Sequence, residues 1–134
     1  MNFRLLILLI PLFFSCILNN DDPDSYKFRF FCNGMPEQIN NNTGSAPLPV
    51  GLALIGNNNY IYDTKTYIGK TRDGVSYMYC VISEEIYKDV QYIDVSVAKG
   101  GDIYIDIQKN NKTIIIVADS LATAGSHSYK IDKM

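Results

Sequence analysis

Apolar and polar side chains alternate with a period of two along much of the chain, which is the pattern of a β-strand with one buried face. The segment 26–32 shows this most simply, because Tyr, Phe, Phe and Cys alternate there with Lys, Arg and Phe. A second apolar segment, 48–55, is bounded by prolines and by the turn-forming residues 56–59. Both segments are predicted strands, and Tyr129 and Ile131 indicate another near the end of the chain.

The dipeptide Asp73-Gly74 is typical of a tight hairpin turn. It separates two strand-like segments, 60–68 and 75–82. Pairing these segments through the turn places Ile68 beside Tyr79 and predicts an antiparallel hairpin in the middle of the chain.

The clearest strand pattern runs from Val90 to Asp119. A three-residue loop at Lys99-Gly100-Gly101, with Gly101 in the left-handed position, would join its first two strands, and a two-residue turn at Asn110-Asn111 would join the next two. Both turns place the isoleucines on one apolar face, which predicts a three-stranded meander, since a slip of one residue would move them to the other face. The predicted pairs are Val97–Ile103, Val95–Ile105, Ile93–Ile107, Ile107–Ile114, Ile105–Ile116 and Ile103–Ala118.

Only the segment 83–89 looks helical, because Ser83 can cap a helix and Glu84 and Glu85 suit its first turn. The long polar segment 33–47 is predicted to be the largest loop. About eight antiparallel strands result. This count predicts an all-β domain, built as a small β-sandwich or a closed barrel.

The start of the chain has a different pattern, in which Arg4 precedes an apolar run from Leu5 to Phe14 and Ser15 precedes Cys16. A basic start, a short apolar run and a small residue are typical of an export signal. The sequence Phe13-Phe14-Ser15-Cys16 resembles the lipobox of bacterial lipoproteins. That resemblance implies cleavage before Cys16 and lipid attachment to it.

Three parts of the chain are therefore predicted: a lipoprotein signal peptide at 1–15, an acylated Cys16 with a flexible acidic tether at 16–25, and a single β domain at 26–134. The predicted location is the bacterial cell envelope, at the outer membrane, on either its periplasmic or its surface face. Two alternatives stay open. Ordinary cleavage would release a soluble protein, and an uncleaved run would be a transmembrane helix, which needs about 20 apolar residues.

The charge of the chain limits its partners. It has 12 basic and 14 acidic residues, for a formal net charge of −2. Without a basic surface, binding of nucleic acid is not expected. The expected partners are the membrane, through the anchor on Cys16, and a protein or a glycan, and no cofactor is expected.

Cys32 and Cys80 are the two cysteines that follow Cys16. In an exported protein, an even pair is most simply a disulfide, which would stabilise the fold by about 4 kcal/mol. The alternative is two thiols that never meet, because sequence does not establish the short distance that a disulfide requires.

His127 is the only histidine, and it lies between Ser126 and Ser128. Adjacent residues of an extended segment point to opposite faces, so these serines cannot form a catalytic relay with it. A solvent-facing or locally hydrogen-bonded histidine is expected.

Asp94 and Asp106 lie opposite each other in the predicted meander, and Asp102 lies further along the same face. Such carboxylates could hold Ca²⁺ or divide acid and base roles, which gives a metal-dependent envelope enzyme as one alternative function. Lys99 and Lys109 lie nearby, and a charged, hydrated strand face is the simpler interpretation. We therefore expect neither an enzyme nor a metal site.

Tyrosine is abundant, with 10 residues in a chain that has no tryptophan. Exposed tyrosines form contact surfaces, because a large rigid ring carries a hydrogen-bonding end at low entropic cost. The alternative is that tyrosine simply suits strands. The candidates are Tyr60 and Tyr62 on one strand face, Tyr77 and Tyr79 on another, and Tyr104 beside Ile115 and Val117 on an outer face.

Three short motifs resemble, in their order, those of membrane-bound inhibitors of c-type lysozyme. They are Phe31-Cys32-Asn33-Gly34, Asp73-Gly74-Val75-Ser76-Tyr77 and Lys99-Gly100-Gly101-Asp102. The resemblance implies a small barrel with a disulfide and gives a second alternative function, inhibition of a hydrolase. The main prediction is a lipid-anchored envelope domain that binds a partner and does not catalyse a reaction.

Overall fold

The computed structural model describes residues 25–38 and 50–133. The predicted signal peptide, Cys16, most of the tether and much of the predicted loop lie outside these residues, so the predictions made for them remain predictions. Within the described residues, no helix is long and apolar enough to cross a membrane.

Nine strands and one α-helix make up the described part of the chain. The strands are β1 (Ser25–Cys32), β2 (Gly51–Gly56), β3 (Ile61–Tyr62), β4 (Tyr67–Lys70), β5 (Ser76–Ser83), β6 (Val90–Val97), β7 (Gly101–Lys109), β8 (Lys112–Leu121) and β9 (Gly125–Lys130). The helix α1 spans Glu84–Asp89, and a 3₁₀ turn spans Asn57–Asn59. The Ser83 hydroxyl accepts a hydrogen bond from the Ile86 amide at 3.3 Å, which confirms the predicted helix and its cap.

The strands form two antiparallel sheets, a five-stranded sheet in the order β4-β5-β1-β7-β8 and a four-stranded sheet in the order β3-β2-β6-β9. Buried residues of both sheets form one apolar cluster, so the sheets pack face to face. Phe28 and Phe30 of β1 and Ile93 of β6 are among its fully buried side chains. The predicted all-β fold is confirmed, as a two-layered sandwich and not a closed barrel.

The predicted hairpin between β6 and β7 is wrong, because these strands belong to different sheets. β6 pairs with β2 and β9, whereas β7 pairs with β1 and β8. Ile93 of β6 and the β7 isoleucines Ile103, Ile105 and Ile107 therefore meet across the core instead of along one sheet. Alternation alone does not separate these arrangements, since both bury the same side chains.

The predicted turn at Asn110-Asn111 is present, with φ angles of 54° and 63°, but the register beyond it is shifted. Gln108 pairs with Thr113, whereas Ile107 pairs with Ile115, so Ile114 is an extra, bulged residue. The predicted β7–β8 pairs are thus wrong by one position. In consequence Ile115 and Val117 pack against the core and do not share an outer face with Tyr104.

The hairpin around Asp73-Gly74 is also confirmed with a shifted register. Gly74 has a φ of 85°, and the Thr71 amide donates to the Val75 carbonyl at 2.9 Å, so three residues form the loop. Tyr79 therefore pairs with Tyr67 instead of Ile68.

The predicted disulfide is not formed, and both Cys32 and Cys80 are free thiols. Cys80 lies opposite Phe28, four residues along β1 from Cys32. That offset corresponds to about 13 Å, well beyond the reach of a disulfide. Burial raises the pKa of Cys80 to about 12, so its thiol stays protonated near neutral pH.

Candidate functional site

The outer face of the five-stranded sheet carries a continuous set of aromatic and cationic side chains. It begins with β1, where burial alternates: Phe28 and Phe30 face the core, and Lys27, Arg29 and Phe31 therefore face outward. Residues of the neighbouring strands complete what we call the aromatic face: Lys27, Arg29, Phe31, Tyr67, Tyr77, Tyr79 and Tyr104.

Strand register brings these side chains together from four strands. Arg29 of β1 lies between Tyr79 of β5 and Asp106 of β7, and Tyr67 of β4 lies beyond Tyr79. Phe31, the next outward-facing residue of β1 after Arg29, pairs with Tyr104 of β7. Cross-strand neighbours of this kind are close enough for direct side-chain contact.

The rings form a connected cluster. Phe31 lies 5.1 Å from Tyr77 and 5.7 Å from Tyr104, measured between ring centroids. Tyr79 lies 5.8 Å from Tyr77 and 5.5 Å from Tyr67. These tilted and edge-on contacts are the preferred geometries of aromatic pairs, so the cluster is held in place by its own packing.

A glycine makes room for one of the rings. Gly69 of β4 pairs with Tyr77, and a Cβ atom at Gly69 would lie 2.8 Å from the Tyr77 ring. The absence of a side chain at Gly69 thus leaves room for the ring of Tyr77. Although it points outward, Tyr77 is buried by its neighbours.

Two cations lie over the rings. The Lys27 ammonium is 4.4 Å from the centroid of Tyr79, and the Arg29 guanidinium is 5.2 Å from the centroids of Phe31 and Tyr77. A cation within about 6 Å of a ring centroid is attracted to the ring face. These contacts fix the positions of both charges on the aromatic face.

Arg29 is also paired with Asp106, which is fully buried beneath it. The guanidinium donates from Nε to Oδ1 at 2.8 Å and from Nη2 to Oδ2 at 2.5 Å, a bidentate geometry. The hydrogen bond to Asp106 raises the pKa of Arg29 above its already high ordinary value. Arg29 therefore carries a permanent charge that Asp106 largely neutralises, and Lys27 is the other cation on this face.

A groove of about 190 Å³ lies at the end of the aromatic face next to the β7–β8 turn. Three amide side chains, two hydroxyl groups, one ammonium group and an exposed valine line it. The residues are Ser25, Lys27, Tyr79, Val81, Gln108, Asn110 and Asn111. No carboxylate is among them, so the groove presents hydrogen-bonding groups and a single positive charge.

Of the other two predicted tyrosines, Tyr62 lies on β3 of the four-stranded sheet, and Tyr60 lies just before that strand. Tyr60 and Tyr62 contact each other edge-on, with 4.9 Å between ring centroids. The Tyr62 hydroxyl donates to the Asp89 carboxylate, which raises the pKa of Tyr62 to about 12 and lowers that of Asp89. The predicted tyrosines therefore divide between two faces of the molecule, with Tyr77, Tyr79 and Tyr104 on the aromatic face.

The predicted Asp94–Asp106 pair is wrong, because the two residues lie on different sheets. Asp94 accepts a hydrogen bond from the Ser128 hydroxyl on the four-stranded sheet, and Asp106 is paired with Arg29. Asp102 is exposed on β7. Within residues 25–38 and 50–133, no three acidic, histidine or cysteine side chains are grouped to hold a metal ion.

His127 is half-buried on β9, and its Nε2 lies 3.3 Å from the Thr123 carbonyl oxygen. Ser126 and Ser128, at the alternate positions, are exposed. This is the locally hydrogen-bonded histidine that the sequence predicts.

Sequence reasoning did not identify Lys27, Arg29 and Phe31 as site residues. The signal was present in the alternation of 26–32, which assigns these three residues to the outward face of a strand. The alternation does not indicate which strands pair with each other. In the structure, β1 pairs with both β5 and β7, and this pairing places Lys27, Arg29 and Phe31 in the centre of the sheet.

No protein-family model, curated protein sequence or solved structure matches the chain. The resemblance to lysozyme inhibitors implied a barrel and a disulfide. The structure has two open sheets and free thiols at Cys32 and Cys80.

Proposed function

We propose that this protein is a lipid-anchored domain of the bacterial cell envelope that binds a saccharide on the aromatic face of its five-stranded sheet. The single observation that carries the proposal is the connected aromatic cluster with a polar groove at its end. The anchor on Cys16 is part of the proposal and is supported by the lipobox-like leader.

The chemistry of the face suits a sugar ring. One side of such a ring presents C–H groups, which pack against an aromatic ring, and its edge presents hydroxyl groups, which pair with amides and hydroxyls. Tyr79 lies at the junction, since its ring belongs to the aromatic cluster and also lines the groove. Gln108, Asn110 and Asn111 supply both donors and acceptors beside it.

A saccharide fits this face better than a large protein partner. Stable protein interfaces bury about 800 Å² on each partner around a core that is depleted in lysine and in acidic residues. Here the Lys27 ammonium lies over the ring of Tyr79, and the groove beside it is lined mainly by amides and hydroxyls. Its volume of about 190 Å³ is smaller than pockets for drug-sized ligands, which suggests one sugar unit of a chain.

Binding can be tested with the full-length protein in detergent and a panel of immobilised neutral and acidic oligosaccharides. We expect Tyr79→Ala to weaken binding of the best ligand at least about tenfold, as truncation of a central aromatic contact does. Tyr92→Ala is the matched control, because Tyr92 is exposed on the outer face of the other sheet. Failure of every saccharide to bind, or equal losses in the two variants, would contradict the proposal.

A further inference from the structure

β8 is a long edge strand with a single bulge, at Ile114. In the part of the chain that the structure describes, four strands lie at sheet edges, and β8 has ten residues whereas β4, β3 and β9 have four, two and six. Among the described residues, no strand pairs with its outer side. An edge presents unpaired backbone N–H and C=O groups, which are ready to pair with another strand.

The side chains of β8 favour such pairing. Ile114 and Ile116 are 45% and 58% exposed, on the outer face of the sheet. β8 contains neither proline nor glycine, and its only charged residues are Lys112 and Asp119 near its two ends. Edges that avoid pairing usually carry charges or proline in the middle.

We propose that β8 pairs antiparallel with β8 of a second copy of this chain, about a two-fold axis at Ile116. The two charges support a second copy as the partner. If the bulged residues Thr113 and Ile114 are counted as one position, Lys112 and Asp119 each lie three positions from Ile116. Antiparallel pairing about Ile116 therefore places Lys112 of each copy opposite Asp119 of the other, and the strand is complementary to itself.

The two charges also lie on the same side of the sheet. Lys112 pairs with Lys109 and Asp119 with Ile103, and both partners share the β7 face that carries Ile107. An unrelated extended peptide would match this charge pattern only by chance, whereas a second copy matches it by symmetry.

The dimer would join two five-stranded sheets into one sheet of ten strands. A two-fold axis perpendicular to the sheet leaves both aromatic faces on the same side, where they could engage one polymer chain at two points. The dimer depends on β8 alone and not on what the aromatic face binds.

Cysteine cross-linking of the full-length protein in membranes tests the symmetry directly. Residues facing each other across an antiparallel pair have Cα atoms about 4.5–5.5 Å apart, within the range that a disulfide spans. Ile116→Cys should therefore form a disulfide-linked dimer on mild oxidation, several-fold above the wild-type chain with its own cysteines. Val81→Cys is the matched control, since Val81 is 52% exposed on the same face but lies on β5.

A second set of variants tests the register. Ile114→Cys should not cross-link to itself, because the two copies of residue 114 would lie about 13 Å apart along the strands. Combining Ile114→Cys with Ala118→Cys in one chain should restore the dimer, since these positions face each other across the axis. Equal cross-linking of Ile116→Cys and Val81→Cys, or none above wild type, would overturn the proposal. Efficient cross-linking of Ile114→Cys alone would also overturn it.

Discussion

Replacing Arg29 by methionine would leave Asp106 buried without its cation. Asp106 has no exposed surface, and the Arg29 side chain is 21% exposed. Among the described residues, the only other side-chain hydrogen bond to the carboxylate comes from the Thr113 hydroxyl at 3.4 Å, longer than a normal O–H···O bond. The methionine variant would therefore retain a buried carboxylate with one weak partner.

The expected loss of stability follows from this geometry. Removing one partner of a buried ion pair costs about 3–5 kcal/mol, and we expect the lower end, about 3 kcal/mol, because Arg29 is partly exposed. A domain of this size has a total free energy of unfolding of about 5–15 kcal/mol. The substitution should thus remove a large fraction of the stability.

Urea unfolding followed by far-ultraviolet circular dichroism measures the effect. With a slope of about 2 kcal/mol per molar urea, the midpoint should fall by about 1.5 M. Arg72→Met is the matched control, because Arg72 is exposed in the β4–β5 turn, and it should change stability by less than about 0.5 kcal/mol.

The double variant Arg29→Met/Asp106→Val separates the ion pair from the packing of Arg29 on its aromatic neighbours. With both charges removed, no buried carboxylate remains, and stability should return to within about 1 kcal/mol of wild type. If Arg29→Met is as stable as the control, or if the double variant is no more stable than Arg29→Met, the unpaired carboxylate is not what destabilises the Arg29→Met variant.

Three further predictions concern single side chains. Tyr62 has a pKa raised to about 12, against about 10 for an unfolded tyrosine, so the stability it contributes is complete below about pH 10 and is lost as the pH rises towards 12. In a tyrosinate absorbance titration, Tyr62→Phe should remove a phenol that titrates near pH 12, and loss of one near pH 10 would contradict the assignment. Cys80 should resist alkylation by iodoacetamide at pH 8 in the native protein and react after unfolding, and rapid native labelling would show that it is accessible. Lys27→Met should weaken binding of acidic saccharides about fivefold (~1 kcal/mol) and leave neutral ones nearly unchanged, and equal losses for both would exclude a charge contact.

Much of the secondary structure could be predicted because it depends on local pattern. Alternation in 26–32 identified β1 and its buried face, and the Ser83 cap identified the helix. Asn110-Asn111 and Asp73-Gly74 identified two turns, since each has the backbone preferences that a hairpin requires.

The pairing partner of each strand and the pairing register could not be predicted, because both depend on features beyond local periodicity. The alternation of β6 and β7 is satisfied equally by pairing within a sheet and by packing across a core, and the structure has the second arrangement. A single bulge at Ile114 reversed the predicted faces of β8. For the proposed site, tyrosine content pointed to Tyr77 and Tyr79, but only tertiary pairing placed the β1 cations over them.

Two-dimensional ¹⁵N–¹H spectra of the full-length protein in detergent, recorded with and without the best oligosaccharide of the panel, would locate the bound ligand and so test the claim that the aromatic face is the ligand-binding surface. We predict that the amide shifts that change will cluster at β1, β5 and the β7–β8 turn, around Lys27, Tyr79 and Asn110. Changes clustered instead around Ile61 and Tyr92 on the four-stranded sheet, or no changes at saturating saccharide, would contradict the claim.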